Sequence, residues 1–306
     1  MIYLVSHKNP DTDAIVSIMV MEDFLKKLGQ KAKAYRVGKI SEEAAYVLRY
    51  LKEKSPVLIK NLSGKKVFLI DHDELEQGGK GVDKAEIVGV LDHHRLGGIE
   101  TAGPIFCRIE PLGSTSTLVF KIFKEKNFIP NKKQAALLLC GIISDTLKFI
   151  SPTTTNEDKK IAKELEKISG QNIENLAKEM FKARFDISGI NLKDLLTKDY
   201  KEFQLGNKKV GIAVWETPSP KGILEKKTKI IEGLKKIKKQ KKIDLIYFGT
   251  LDILRKECNL ILIDDKEKRV AEKAFGKKEK ENIIYLPGVI SRKKQIIPKL
   301  AEVLGK

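Results

Sequence analysis

Val67-Phe68-Leu69-Ile70-Asp71-His72-Asp73 and Ile87-Val88-Gly89-Val90-Leu91-Asp92-His93-His94 decide the fold of this chain. Each is a short apolar run with the length of a buried strand, and each ends abruptly in carboxylate and imidazole. The amino terminus has the same form. Residues 2–6 are an apolar strand followed by His7-Lys8-Asn9-Pro10-Asp11-Thr12-Asp13. Three strands that end in acids and histidines place those groups where open parallel α/β sheets bind ligands, at the carboxyl ends of the strands.

Working outward, strands and helices alternate. A helix is expected at 14–28, closed by Gly29, then a strand at 31–37 and a helix at 42–52 capped by Ser41. A strand at 103–110 leads through Gly113-Ser114-Thr115 into a helix at 116–126. Further helices are expected at 132–147, 156–168 and 173–183. Residues 185–198 mix Gly, Ser and Asp with weak patterning, so the domain boundary is placed there. Beyond it, strands at 209–215, 245–251 and 260–264 and helices at 222–237, 267–275 and 292–304 form a smaller α/β domain. The expected division is a metal-binding catalytic domain at 1–186, a linker at 187–198 and a substrate-binding domain at 199–306.

Composition bounds the function. The 306 residues are 42% hydrophobic, ample for a large core, and the length favours two domains. Cys107, Cys140 and Cys258 are an odd number without paired spacing. That fits a reducing cytoplasm and excludes a cysteine zinc knuckle. The opening Met1-Ile2-Tyr3-Leu4-Val5-Ser6 is too short for a secretory apolar region, and no apolar run has membrane-spanning length. A soluble, cytoplasmic protein with no membrane partner is expected. The net charge of +18 invites a nucleic-acid reading. Its densest source is Lys235-Lys236-Ile237-Lys238-Lys239-Gln240-Lys241-Lys242. Ile230, Ile231, Leu234 and Ile237 recur there at helical spacing, and no aromatic is interleaved to stack bases. The run reads as the solvated face of a helix, and nucleic acid is not the expected partner.

All four histidines lie in the first third of the chain, His72, His93 and His94 within two residues of an aspartate and His7 four before Asp11. Imidazole with carboxylate is a ligand set for manganese, cobalt or zinc. A helix cap accounts for one of Asp11 and Asp13, but not for both together with His7. Asp71 leaves a buried strand and must meet water, a cation or a donor. His72 reads as a hydrogen-bonded supporting residue. Adjacent side chains diverge, so of His93 and His94 one can hold a metal while the other faces substrate, with Asp92 free to orient a ligating imidazole. Asp145 follows an apolar helical stretch, where an anion opposes the helix dipole unless a cation accompanies it.

Together these motifs resemble the family II, manganese-dependent inorganic pyrophosphatases of the DHH phosphoesterase superfamily. The matching pieces are His7…Asp11-Thr12-Asp13, Asp71-His72, Asp92-His93-His94, Glu110-Pro111-Leu112-Gly113-Ser114-Thr115, Ser144-Asp145-Thr146 and Ser291-Arg292-Lys293-Lys294-Gln295. The Asp-His-His triplet alone indicates only the superfamily, whereas the last segment and Glu-Pro-x-Gly-Ser-Thr are far more specific. The resemblance implies a parallel-sheet DHH domain with flanking helices, a smaller DHHA2-type α/β domain, and an active site in the cleft between them. It implies two manganese (or cobalt) ions per subunit. One would be held by His7, Asp11, Asp71 and Asp145, the other by Asp13, Asp71, His93 and Asp145. Such ions sit roughly 3.5–4 Å apart and turn an intervening water into a hydroxide nucleophile near neutral pH. Magnesium would arrive with the pyrophosphate. His94, Lys201, Arg292 and Lys293 would contact substrate and assist catalysis, and Gly113-Ser114-Thr115 would give support. A homodimer through the N-terminal domains is also implied. Asp73 stands where the family usually has Asn, and Ala14 where it usually has Ser. The alternative functions are an exopolyphosphatase, which shares the fold and much of this site, and, behind it, a nanoRNase or exonuclease of the same superfamily, whose glycine-rich C-terminal signature is absent here.

Overall fold

The acid-terminated apolar runs become neighbouring strands. In the computed structural model, which describes residues 1–186, 189–217, 220–252 and 255–305, the first sheet contains β1 (Ile2–Val5), β2 (Ala32–Arg36), β3 (Val57–Leu58), β4 (Lys66–Ile70), β5 (Glu86–Asp92) and β6 (Phe106–Ile109). All are parallel, in the order β3-β2-β1-β4-β5-β6. The chain runs from β1 out to β2 and β3, then returns to lay β4 on the other side of β1. A crevice opens at the carboxyl ends of the strands wherever the winding direction reverses in this way. His7 lies two residues past β1 and Asp71 directly past β4, so topology alone brings them to one crevice.

Both faces of this sheet are covered, which is why its strands read as continuous apolar runs rather than alternating ones. Leu4, Phe68, Ile70 and Leu91 face α1 (Thr12–Lys27), α2 (Glu42–Tyr50), α3 (Thr115–Glu125), α4 (Lys132–Asp145), α5 (Asn156–Ser169) and α6 (Ile173–Arg184). Their strand neighbours Val5, Val67, Leu69 and Val90 pack on the other face against Leu62, Val82 and the loops around them. Helix α4 is buried from Ala135 through Ser144 and carries Asp145 at its last position. After it, Leu147, Lys148 and Phe149 all adopt positive φ (47°, 53° and 70°), a left-handed turn that reverses the chain at once.

The second unit holds α7 (Leu192–Thr197), β7 (Tyr200–Leu205), β8 (Lys208–Glu216), α8 (Lys221–Leu224), α9 (Lys227–Gln240), β9 (Leu245–Asp252), β10 (Glu257–Ile261), α10 (Asp265–Phe275) and β11 (Ile283–Pro287). A π-helical turn, Arg292–Ile296, runs into α11 (Ile297–Leu304). The sheet order is β11-β10-β9-β8-β7, and only β8 and β9 are parallel.

Several details differ from the sequence reading. The two compact units divide at Arg184 and Phe185. The expected linker 187–198 instead contains α7, whose Leu195 and Leu196 are buried in the second unit's core. Within that span, residues 187 and 188 lie outside the described residues. The expected helix 222–237 is two helices, α8 and α9. The expected strand 260–264 ends at Ile261, because Asp264 caps α10 by accepting from the amides of Lys266 and Glu267. Strands β7 and β11 were not expected. Both lie at the sheet's edges; β7 interleaves polar residues and shows no apolar run, whereas β11 is the apolar run Ile283-Ile284-Tyr285-Leu286, too short to stand out beside Pro287. The lysine run on α9 is not wholly solvated. Lys238 turns inward to Glu267 Oε1 (2.6 Å) and Asp264 Oδ2 (3.1 Å).

Candidate metal centre

Six side chains from four segments converge at the crevice. Asp13, Asp71, His93 and Asp145 each offer a ligand atom, and these atoms lie within 4.8 Å of one another. His7, Asp11 and Asp71 form a second such group, and Asp71, Asp92, His93 and His94 a third. The first group coincides with one donor set implied by the resemblance. The second contains three of the four donors of the other, with Asp145 outside it. Asp71 belongs to all three. His7 Nε2 lies 3.5 Å from Asp71 Oδ2, and His93 Nε2 lies 3.5 Å from Asp71 Oδ1 and 3.3 Å from Asp145 Oδ2. Asp71 has φ of +67°, a left-handed conformation that turns the chain sharply as it leaves β4.

The donors fit a divalent cation. Buried polar groups normally find hydrogen bonds, yet Asp71 Oδ2 and His93 Nε2 are buried with no hydrogen-bond partner. Burial and the neighbouring carboxylates push Asp11 up, Asp13 up to about 7, and Asp145 well above its usual range. For Asp71 burial acts the same way, but the His7 and His93 imidazoles outweigh it and hold its carboxyl well below the usual range. Burial disfavours a charged His93, but Asp145 and Asp71 win and push it up to about 12. Such a cluster is short of positive charge, which protons or a metal ion can supply.

The start of α3 organises the ligands. Asp13 Oδ1 accepts from Ser114 Oγ (2.8 Å), from the Ser116 amide (3.0 Å) and from the Ser116 hydroxyl. Asp13 Oδ2 accepts from the Thr115 amide (2.7 Å), and Thr115 Oγ1 donates to Asp71 Oδ1 (2.8 Å). Gly113-Ser114-Thr115 therefore supports two candidate donors, Asp13 and Asp71, while Ser114 caps its own helix. Asp11 is an N-cap, accepting from the Ala14 amide through Oδ1, so the capping reading does account for one of the two acids. His93 donates Nδ1–H to the Leu112 carbonyl (2.9 Å), which directs Nε2 at the acids. Asp92 serves the other imidazole: its Oδ1 accepts from His94 Nδ1 (2.8 Å), the largest factor raising His94 above the usual histidine range. His72 donates Nδ1–H to the Ile70 carbonyl (3.2 Å), and burial lowers it to about 4, so it is neutral near neutral pH.

Comparison with known proteins supplies the family. The DHH family N-terminal domain matches residues 1–142, and the DHHA2 domain matches residues 178–303. A probable manganese-dependent inorganic pyrophosphatase of Clostridium acetobutylicum is 38% identical over 99% of this chain and 98% of its own length. The manganese-dependent inorganic pyrophosphatase of Bacillus subtilis is 37% identical over 100% of this chain and 99% of its own. The chain belongs to the manganese-dependent inorganic pyrophosphatase family. A crystal structure of a Methanococcus jannaschii putative family II inorganic pyrophosphatase covers both chains completely, at 35% identity and a TM-score of 0.65. An exopolyphosphatase-related protein of Bacteroides fragilis shares the fold at 16% identity and a TM-score of 0.51, over 98% of this chain and 91% of its own.

The basic residues expected of this family gather within the second unit. Arg292 is buried and donates from Nη1 to the carbonyls of Asp199 (2.7 Å) and Ile212 (3.2 Å). Its Nη2 donates to Asp199 Oδ1 (2.7 Å). The fork read as a phosphate clamp thus also ties the π turn to β8 and the start of β7. Lys201, in register with Ile212, and Lys293 are both exposed. Asp73 accepts from the Gly97 amide and belongs to none of the metal-type groups, so its charge is spent on a loop.

Sequence reasoning missed several supports. Asp158 accepts from the Gly113 amide, from Thr117 Oγ1 and from Thr155, fixing the turn before α3. A Cβ on Gly141 would stand 2.1 Å from Ser116 Oγ and 2.5 Å from Asp13 Oδ1, so only glycine admits that pair. Glu43 is buried and joins Thr12 to Ser144. Each reads locally as an ordinary helix residue, and no motif pointed to it.

Proposed function

We propose that this chain hydrolyses inorganic pyrophosphate to two orthophosphates, as its family does, with manganese at the centre described above. The observation that carries the reading is Asp71, one buried carboxylate common to two groups of donors. A shared carboxylate suits a pair of ions, two per subunit, with His7, Asp11 and Asp71 as donors to one and Asp13, Asp71, His93 and Asp145 to the other. Oxygen and nitrogen donors without thiolate favour manganese, or cobalt in its place, with magnesium accompanying the substrate. When bound, the ions supply Lewis acidity that makes water nucleophilic and offsets the charge of the phosphoanhydride.

The chain's own groups do the rest. Ser114, Thr115, Ser116 and the Leu112 carbonyl hold the donors in place, which keeps the centre preorganised. His94 is half exposed, and Asp92 fixes its Nδ1 proton, leaving Nε2 to protonate the departing phosphate. Lys201 and Lys293 offer mobile positive charge to phosphate oxygens, and Arg292 offers a charge held in place by Asp199. A homodimer is supported by the exposed edge strand β6, where Phe106 is 49% exposed. A reducing compartment such as the cytoplasm suits the three free cysteines. No helix among the described residues is long and apolar enough to cross a membrane.

Phosphate release from pyrophosphate, tripolyphosphate and a dinucleotide, measured side by side, tests the assignment. Chelated protein should be inactive on magnesium pyrophosphate, recover with manganese or cobalt, and prefer pyrophosphate. Full activity after rigorous metal stripping would overturn the metal reading, and faster release from tripolyphosphate would overturn the substrate. Light scattering at micromolar concentration should give twice the chain mass, and a monomer would count against the dimer.

A further inference from the structure

Glu43 enters the interior from the first turn of α2 and is 2% exposed. Burying a carboxylate is costly unless donors satisfy it. Its donors come from two other segments. Thr12 Oγ1 donates to Glu43 Oε2 at 2.9 Å, and Ser144 Oγ donates to the same oxygen at 2.6 Å. Thr12 stands between Asp11 and Asp13, and Ser144 directly precedes Asp145. One oxygen therefore joins the amino end of α1 to the carboxyl end of α4, and both of these ends carry metal-type acids. Arg184 offsets the charge: its Nη1 lies 3.6 Å from Glu43 Oε2 and donates to the Ser144 carbonyl at 3.3 Å.

We propose that Glu43 is a positioning residue for the metal centre, holding Asp11 and Asp13 in register with Asp145 through the Thr12 and Ser144 hydroxyls. This rests on the metal reading above. Without the tie, three carboxylates that repel one another could spread apart, and the centre would have to be reassembled when each ion binds. Groups that orient metal ligands typically contribute ~10–100-fold to metal affinity.

The test is manganese titration of metal-free protein, followed by the electron paramagnetic resonance signal of free manganese, with thermal melting alongside. Glu43→Ala should bind manganese ~10–100-fold more weakly. The double variant Thr12→Val/Ser144→Ala should show the same loss, and adding Glu43→Ala to it should cost little more. Glu43→Gln keeps an acceptor oxygen and should recover most of the affinity. A residue that only stabilises the fold would lower the melting temperature of the metal-free and loaded forms alike and leave affinity unchanged. Unchanged affinity in both Glu43→Ala and the double variant overturns the proposal. If Glu43→Ala does not fold, the double variant decides alone. If the parent protein itself binds no manganese, the metal reading fails instead.

Discussion

Asp71 combines three properties that are rarely found in one side chain. It is buried, it is left-handed at φ of +67°, and it is common to all three groups of metal-type donors. Aspartate and asparagine are the non-glycine residues that tolerate this backbone best, so Asp71→Asn keeps the turn and removes only the charge. Loss of a shared ligand should exceed the ~10–100-fold penalty typical of losing a supporting group. Turnover and manganese content of Asp71→Asn should therefore both collapse. His72→Gln should retain most of both, because His72 is bonded to its own strand and belongs to none of those groups. Near-normal turnover in Asp71→Asn would refute the bridging role.

At the scale of elements, α9 and α10 are joined through a buried acid. Glu267 accepts from the Ile246 amide (3.0 Å) and from Lys238 Nζ (2.6 Å). Burial, aided by Asp264, nevertheless pushes its carboxyl from the ordinary 4.5 up to about 7. Between those values the folded protein holds a proton that the unfolded chain gives up, so this group lowers stability as pH rises through that window. Glu267→Gln cannot titrate and retains an acceptor for the Ile246 amide. Its melting temperature relative to the parent should rise between pH ~4.5 and ~7 and stay level above. Melting curves across that range check it, and a pH-independent difference would show that Glu267 keeps an ordinary pKa.

For the whole molecule, the net charge of +18 raises the question of which lysines matter to an anionic substrate. Lys293, on the π turn beside Arg292, should raise the Michaelis constant, lower turnover, or both when changed to Ala. It should leave manganese bound, because every group of metal-type donors lies in the other unit. Neutralising Lys235, Lys236 and Lys239 should leave pyrophosphate hydrolysis nearly unchanged at physiological salt, since solvated charges beyond ~8 Å are largely screened. Lys238 is left out because it holds Glu267 and Asp264. Assays of both variants at low and high salt decide the matter. An equal loss from the three-lysine variant at both salts would make the run part of the substrate site.

The sequence by itself determined the parallel sheet, the family and the acids and histidines that converge at the candidate metal centre. Apolar runs ending in Asp71 and Asp92 can only be buried strands that release charge at their carboxyl ends, and such motifs are local. It also identified Asp11 or Asp13 as a cap and His72 as a support. What it left open depends on contacts between distant segments. The alternation in β7 gave no apolar signal because an edge strand is half solvated. Asp92 orients His94 rather than His93, a choice set by where the Leu112 carbonyl falls after folding. Arg292 meets Asp199 and Lys238 meets Glu267 because burial requires each charge to find a partner, and sequence spacing does not reveal that partner. Gly141 meets Ser116, Asp158 meets Gly113 and Glu43 meets Ser144 only once the helices are assembled, so tertiary structure alone assigns their roles.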